Sequence, residues 1–332
     1  MIADLEMIIK MGNVMKLDNN HIHTYEKHSR IVLGSQSLLT TSLLVILLLF
    51  TFTALPVAAQ QTTFDTAEAA ADKLYNDVTA KDRASIKALF GSENLHLLPL
   101  EDIDEQDRES FINAWKKSHK LIAGKKDQVF IEVGLLAWTF PIPLQKNANG
   151  WYFDVLTGQD IIRTRSIGRN ELSTMQAALA YYDAQKEYAG QDRNANGTFE
   201  YAQQFISTPG KKDGLYWPVK SGEPLSPLGS LFTGDITKGA YHGYYFKILK
   251  EQGKGARGGA YSYLSRNRMK FGFALLAWPA EYGETGVMSF LINHDGVLFE
   301  KDLGTGTEGL VTKISAFEPG EGWLHTDIKD LN

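Results

Sequence analysis

Residues 167–190 read IGRNELSTMQAALAYYDAQKEYAG, and this stretch decides how the C-terminal half of the chain folds. Asn170 is a favourable helix N-cap, and Glu171 follows in the first turn, where a negative charge suits the helix dipole. An apolar stripe then recurs at helical spacing and comprises Leu172, Met175, Leu179 and Tyr182. Gly190 is a common stop residue. We therefore predict a long amphipathic helix over residues 170–189, entered through a cationic turn.

Four further runs of alternating or apolar residues predict an antiparallel sheet after this helix. They cover residues 244–249, 271–278, 287–292 and 297–301, and turns rich in glycine join them. A four-stranded meander with one apolar face is not stable alone, so we expect the helix to cover it. Residues 161–325 are predicted to form this module, followed by a tail at 326–332.

The preceding part of the chain, residues 60–160, predicts a small α+β module. Thr66 and Asp82 are caps for two short helices, and a third is expected at 107–119. Strands are expected at 128–133, 135–140 and 151–155. Helices followed by a meander resemble the cone-shaped NTF2-like modules, in which Trp138, Phe140 and Trp151 would line a pocket or pack as core. The predicted fold class of the whole chain is α+β.

The composition excludes several classes of function. The chain has 332 residues, a formal net charge of −5 and no cysteine. Disulfides, thiolate catalysis and cysteine-based metal sites are therefore excluded. Its basic residues form no run that would predict nucleic-acid binding.

Residues 1–59 predict export rather than fold. Lys27 and Arg30 precede an apolar run at 38–55, and small residues at 56–59 suit cleavage after Ala59. An uncleaved anchor at 38–55 is the alternative, because the run is near the length that spans a bilayer. We expect a periplasmic or secreted protein, or one anchored in the inner membrane. Membrane contact is expected only through this segment.

A cationic group precedes the predicted helix and consists of Arg163, Arg165 and Arg169. Arginines near a helix N-terminus favour a phosphate or carboxylate, so Arg165 and Arg169 are candidate ligand-binding residues. The alternative is that these arginines pair with Asp160, Glu171 or backbone carbonyls.

The loop after the helix resembles the opening of a calcium loop. Its oxygen-bearing side chains are Asp192, Asn194, Asn196 and Glu200, with Gly197 at the turn. Gln203 stands where a twelve-residue loop has its last glutamate, so calcium would bind only in the millimolar range. The alternative is a turn stabilised by asparagine and aspartate, leading into a short helix at 201–205.

The long loop at 207–231 carries the candidates for ligand binding and catalysis. Tyr216 and Trp217, close to Asp213, predict either a sugar- or peptide-binding face or packing lids over the sheet. An enzyme would need Asp213, His242 and Glu281 to meet near these aromatic residues. The sequence has neither a His-Glu-x-x-His motif nor a Gly-x-Ser-x-Gly motif.

Several stretches together resemble the bacterial domain of unknown function (DUF) 2950 family, over residues 64–325. They are 138–144, 167–172, 181–188, 213–218, 242–245, 278–286 and 301–304. The resemblance implies an exported envelope protein without an assigned activity. Ser166 replaces an expected second arginine, and Asn194 and Asn196 replace more acidic residues; these departures weaken the anion and calcium hypotheses.

The C-terminal half is also similar to type IV pilin-like and pseudopilin head domains, most closely over residues 277–299. A pilin helix continues directly from the membrane segment, whereas roughly a hundred residues intervene in this chain. The resemblance implies a pilin-like head fold without polymerisation into a pilus.

Taken together, the residues favour a non-enzymatic envelope module for binding or assembly, whose partner is an unidentified envelope protein or glycan. The alternative is an envelope hydrolase that acts on glycan or peptide through carboxylates near Tyr216 and Trp217.

Overall fold

The computed structural model describes residues 61–98, 104–193, 195–229 and 239–326. The predicted leader at 1–59 and residues 327–332 of the predicted tail lie outside this part. The chain divides into two compact units between Ile161 and Ile162. Both contain helices and antiparallel strands, which confirms the α+β class.

Three helices open the first unit: α1 (Ala67–Ala80), α2 (Arg83–Phe90) and α3 (Glu105–Lys117). The side chain of Thr66 accepts a hydrogen bond from the Ala69 amide, and that of Asp82 accepts one from the Ser85 amide, so both predicted caps are confirmed. The third helix begins earlier than predicted, because Asp104 and Asp107 form a capping box.

The sheet of the first unit has five antiparallel strands. They are β1 (His119–Ala123), β2 (Gln128–Val133), β3 (Trp138–Thr139), β4 (Leu144–Asn147) and β5 (Gly150–Phe153). Their order is β1-β2-β4-β5, and β3 pairs with β2. The strand predicted at 135–140 shrinks to β3 because residues 134–137 form a turn with Gly134 and Ala137 in the left-handed region.

The long helix, α4, runs over Val155–Ala189, so the start predicted at Asn170 is wrong. The Asp154 carboxylate accepts a hydrogen bond from the Thr157 amide and caps the helix instead. The predicted cationic turn is therefore helical, and the Asn170 side chain donates to the Thr285 carbonyl at 2.9 Å. The helix ends before Gly190, as predicted.

The main sheet of the second unit contains the predicted meander. Its strands are β6 (Tyr244–Leu249), β11 (Ala274–Pro279), β12 (Met288–Asn293), β13 (Leu298–Asp302) and β14 (Leu324–His325), paired in the order β14-β13-β12-β11-β6. Two short antiparallel pairs fall between β6 and β11 in the sequence. They are β7 (Glu251–Gln252) with β8 (Tyr261–Ser262), and β9 (Leu264–Ser265) with β10 (Arg268–Met269). The short helix predicted at 201–205 is absent, since Tyr201 pairs with Met269.

Helix α4 packs on this sheet, but through a face shifted from the predicted one. Its deepest side chains are Ala178, Tyr181, Ala184 and Tyr188, all in the buried core. Met175, Leu179 and Tyr182 are only partly buried against that core. A segment after β13, with helix α5 (Thr307–Val311), also packs on the core, where Phe299 contacts Phe317 and the Lys247 amine donates to the Ile314 carbonyl.

Candidate functional site

Asp213 closes a turn and presents no free carboxylate. One oxygen accepts hydrogen bonds from the Thr208 amide at 2.8 Å and the Gln204 side chain at 2.9 Å, and the other accepts from the Thr208 hydroxyl at 2.9 Å. Desolvation opposes ionisation, but the bonds from Thr208 and Gln204 outweigh it and hold the pKa of Asp213 below its ordinary value. The carboxylate therefore serves the loop as an ionised anchor.

Trp217 and Tyr216 belong to the packing of the second unit. Trp217 is 5% exposed and lies in the core, and Tyr216 is partly buried against it. The amine of Lys212 and the guanidinium of Arg193 lie 5.4 and 5.8 Å from the Trp217 ring centre. The indole ring is therefore covered by the chain's own residues, and ligand binding at Tyr216 and Trp217 stays a prediction.

His242 and Glu281 lie together at one end of the main sheet. The Ala280 amide donates to the Gly243 carbonyl at 2.9 Å, so the residues next to Glu281 and His242 are joined just beyond the β6–β11 pairing. Both side chains are exposed. They form no ion pair with each other in the part of the chain that the structure describes.

Asp213 lies near the C-terminal end of helix α4, whereas His242 and Glu281 lie near its middle. The Tyr188 hydroxyl donates to the carbonyl of Lys212, beside Asp213, whereas the Asn170 side chain donates to Thr285, in the loop that contains Glu281. At the helical rise of 1.5 Å per residue, Asn170 and Tyr188 are about 27 Å apart. The three residues that an enzyme would need are therefore not brought together.

The arginines at 163, 165 and 169 lie within helix α4 and not at its N-terminus. Arg163 pairs with Glu284, with 3.2 Å between guanidinium and carboxylate. Burial, and then the neighbouring positive charge of Arg169, lower the pKa of Arg165 to about 10. Because these arginines lie away from the helix N-terminus, the helix dipole does not favour an anion beside them. Anion binding by Arg165 and Arg169 stays a prediction.

The acidic loop after helix α4 is held by the protein's own donors. Asp192 accepts hydrogen bonds from the amides of Asn196 and Gly197, and the Asn196 side chain donates to Glu200. The guanidinium of Arg268 donates to the Asn196 oxygen at 3.4 Å and lies 4.0 Å from a Glu200 oxygen. Asn194 lies outside the described residues, among which no group of three or more histidine and acidic side chains is arranged to hold a metal. These contacts do not test the calcium binding that the sequence predicts.

We expect calcium to leave the melting temperature of the protein unchanged, because Arg268 already places a positive charge beside the loop oxygens. Replacing it, as Arg268→Ala, should create a rise at millimolar calcium, since a ligand that binds only the folded state stabilises it. Thermal melts with calcium and with chelator check both proteins. A rise in the unchanged protein that Asp192→Ala abolishes would contradict the expectation.

We expect Asp213→Asn to destabilise the protein at pH 7 and to matter less in acid. The folded-state pKa of Asp213 is depressed, so its stabilisation is present above the ordinary value of 3.8 and is lost as pH falls through the lower folded value. Denaturant unfolding of both proteins at pH 7 and near pH 2 measures the gap. A gap that is the same at both pH values would show that ionisation of Asp213 is irrelevant.

One aromatic surface was not among the predicted sites. Tyr245 on β6 stands directly opposite Trp278 on β11, with ring centres 5.8 Å apart. Tyr245 is 40% exposed and Trp278 is partly exposed. The sequence signal was the alternation of β6, which places Tyr245 and Tyr244 on opposite faces, but exposure of the outer ring depends on what covers that face.

A family model described as "Protein of unknown function (DUF2950)" matches residues 61–326. The chain belongs to this DUF2950 family. No curated protein and no solved structure matches the chain significantly, so the NTF2-like and pilin-like resemblances stay unconfirmed. In the part of this DUF2950 chain that the structure describes, no helix is both long and apolar enough to span a bilayer.

Proposed function

We propose that this chain is an exported bacterial envelope protein whose second unit is a non-catalytic binding module. The absence of catalysis is supported by where each candidate residue lies and by what it contacts. Asp213 is held by hydrogen bonds within a turn, Trp217 is buried, and His242 and Glu281 lie near the middle of helix α4, away from Asp213. This separation supports a binding module over the hydrolase alternative.

Export is proposed from the apolar run at 38–55 and the small residues before Gln60. Expression of the full chain followed by fractionation and N-terminal sequencing should find a periplasmic or secreted product that begins at Gln60. Retention of residues 38–55 in a membrane fraction would convert the proposal to an anchored envelope protein. A cytoplasmic product would overturn it.

The binding surface that we propose is the Tyr245–Trp278 pair, and its ligand is an envelope glycan. The faces of aromatic rings carry partial negative charge and attract the weakly positive C–H groups on the flat side of a sugar ring. Tyrosine and tryptophan also lose little conformational entropy when they bind. Exposed neighbouring rings on a rigid sheet therefore suit a saccharide chain better than a flexible surface would.

Co-sedimentation with insoluble peptidoglycan tests this proposal. The exported protein should pellet with peptidoglycan, and Tyr245→Ala and Trp278→Ala should each weaken binding by about tenfold, which corresponds to roughly 1.4 kcal/mol. Tyr261→Ala is the matched control, because Tyr261 is also an exposed ring of the second unit but lies on β8. Equal losses in all three variants, or no binding at all, would overturn the proposed surface.

The same incubation separates binding from hydrolysis. No soluble sugar or peptide fragment should appear over many hours with the unchanged protein. Release of fragments that Asp213→Asn or Glu281→Gln abolishes would establish catalysis and overturn the non-catalytic proposal.

A further inference from the structure

The turn between β2 and β3 presents apolar side chains to solvent. Leu135 is 81% exposed, Leu136 is 38% exposed, and Ala137 beside them is exposed too. Tight turns are normally built from glycine, asparagine and other polar residues. Ala137 has a φ of 57°, a backbone conformation that favours glycine or asparagine, yet the position carries an apolar side chain. This apolar tip is not explained by packing or by turn chemistry.

Lysines lie beside the apolar tip. The Gly134 amide donates to the Ser118 carbonyl at 2.8 Å, and a side chain at Gly134 would touch Ala114, so the tip adjoins the C-terminal end of helix α3. Lys116 and Lys117 form that end, and both are exposed. Lys120 on β1 pairs with Glu132, with 3.0 Å between amine and carboxylate, whereas Lys116 and Lys117 have no ion-pair partner among the described residues.

We propose that this apolar tip docks on the surface of a membrane that contains anionic phospholipids. Two leucines on a narrow hairpin are too few to bury against a protein groove of ordinary interface size, but they can enter the boundary between headgroups and acyl chains. The lysines beside them would then lie at the level of the phosphates, where each cation adds attraction. The apolar tip and the lysines beside it therefore match the acyl chains and the anionic phosphates of such a membrane.

This membrane contact is separate from the predicted segment at 38–55. A weak apolar insertion gives only reversible binding, and a second signal, such as a basic patch, is needed for stable attachment. The apolar tip and the lysines beside it supply both signals in the first unit. They therefore act whether or not the leader is removed, and they do not depend on the proposed glycan surface.

A fluorescent label on the apolar tip reports lipid contact at that position alone and not membrane binding by other parts of the chain. The protein has no cysteine, so Leu135→Cys can carry one environment-sensitive fluorophore. Vesicles of phosphatidylglycerol and phosphatidylethanolamine should shift its emission to the blue and raise its intensity. Leu156→Cys is the matched control, because Leu156 is also exposed in the first unit but lies on the first turn of α4; its label should not respond.

Two kinds of substitution then separate the apolar and cationic contributions. Leu136→Asp should lower vesicle binding by about tenfold, since it puts a charge in place of an apolar side chain that enters the lipid on binding. Lys116→Glu and Lys117→Glu should each lower it by about fivefold, and added salt should reduce it further. All of these residues are exposed, so circular dichroism should show unchanged folding.

Three results would overturn the proposal. The first is equal responses of the two labels, and the second is equal binding to vesicles of phosphatidylcholine alone. The third is a blue shift at Leu135→Cys that grows with protein concentration without vesicles, which would assign the tip to a contact between copies of the chain.

Discussion

Tyr181→Ala should lower the free energy of unfolding by about 3–5 kcal/mol, the range for removing a large buried aromatic side chain. Tyr181 is fully buried under the main sheet. Its ring contacts those of Phe205 and Phe273, with centres 5.8 and 5.7 Å away. Truncation leaves a cavity between helix and sheet that rigid neighbours cannot close. Denaturant unfolding followed by circular dichroism measures the loss.

Matched variants on the same helix show whether lost packing causes the lower stability of Tyr181→Ala. Alanine favours helices more than tyrosine does, so a loss of stability cannot come from helix propensity. Leu179→Ala should cost less than Tyr181→Ala because Leu179 is only partly buried. Lys186→Ala, at an exposed position, should change stability by less than about 0.5 kcal/mol. If Tyr181→Ala and Lys186→Ala unfold at the same denaturant concentration, the helix does not cover the sheet.

Gln185→Leu should cost about 2–5 kcal/mol, although it replaces a polar side chain with an apolar one of similar size. Gln185 is fully buried. Its side chain donates to the Ala202 carbonyl at 2.8 Å and accepts from the Ala202 amide at 2.9 Å. It also donates to the Tyr181 hydroxyl at 3.0 Å. Leucine would leave both backbone groups of Ala202 buried without partners, and each such group is costly.

Hydrogen exchange locates this effect. The Ala202 amide should lose its protection in Gln185→Leu, while amides in the middle of β11 and β12 keep most of theirs. Gln176→Leu is the matched control, because Gln176 is an exposed glutamine of the same helix. It should change stability by less than about 0.5 kcal/mol. Unchanged protection of Ala202 would show that Gln185 does not hold the chain that follows the acidic loop.

Local signals predicted many elements of this fold. The caps at Thr66 and Asp82, the strand runs at 128–133 and 244–249, and the stop before Gly190 all depend on residues close in sequence. The same kind of signal failed at Asn170. A cap is favoured only where the chain before it is not helical, and capping by Asp154 had already started the helix.

The candidate site could not be predicted to the same degree because it depends on separation in space. Asp213, His242 and Glu281 carry suitable chemistry, but the sequence contains no measure of the distance along helix α4 that keeps Asp213 from the other two. The role of Arg268 beside the acidic loop was equally hidden, since that contact joins residues far apart in the chain.

The sequence by itself determined the α+β class, the family, the three helices that open the first unit, the four strands of the meander, and the need for a helix over that meander. Periodicity and capping carry that information because they act within a few residues. Only the tertiary structure decided that Trp217 is buried while Tyr245 is exposed, that Tyr181 rather than Leu172 faces the sheet, and that Gln185 serves the backbone of Ala202. Burial is set by what covers each side chain, and the covering residues come from distant parts of the chain.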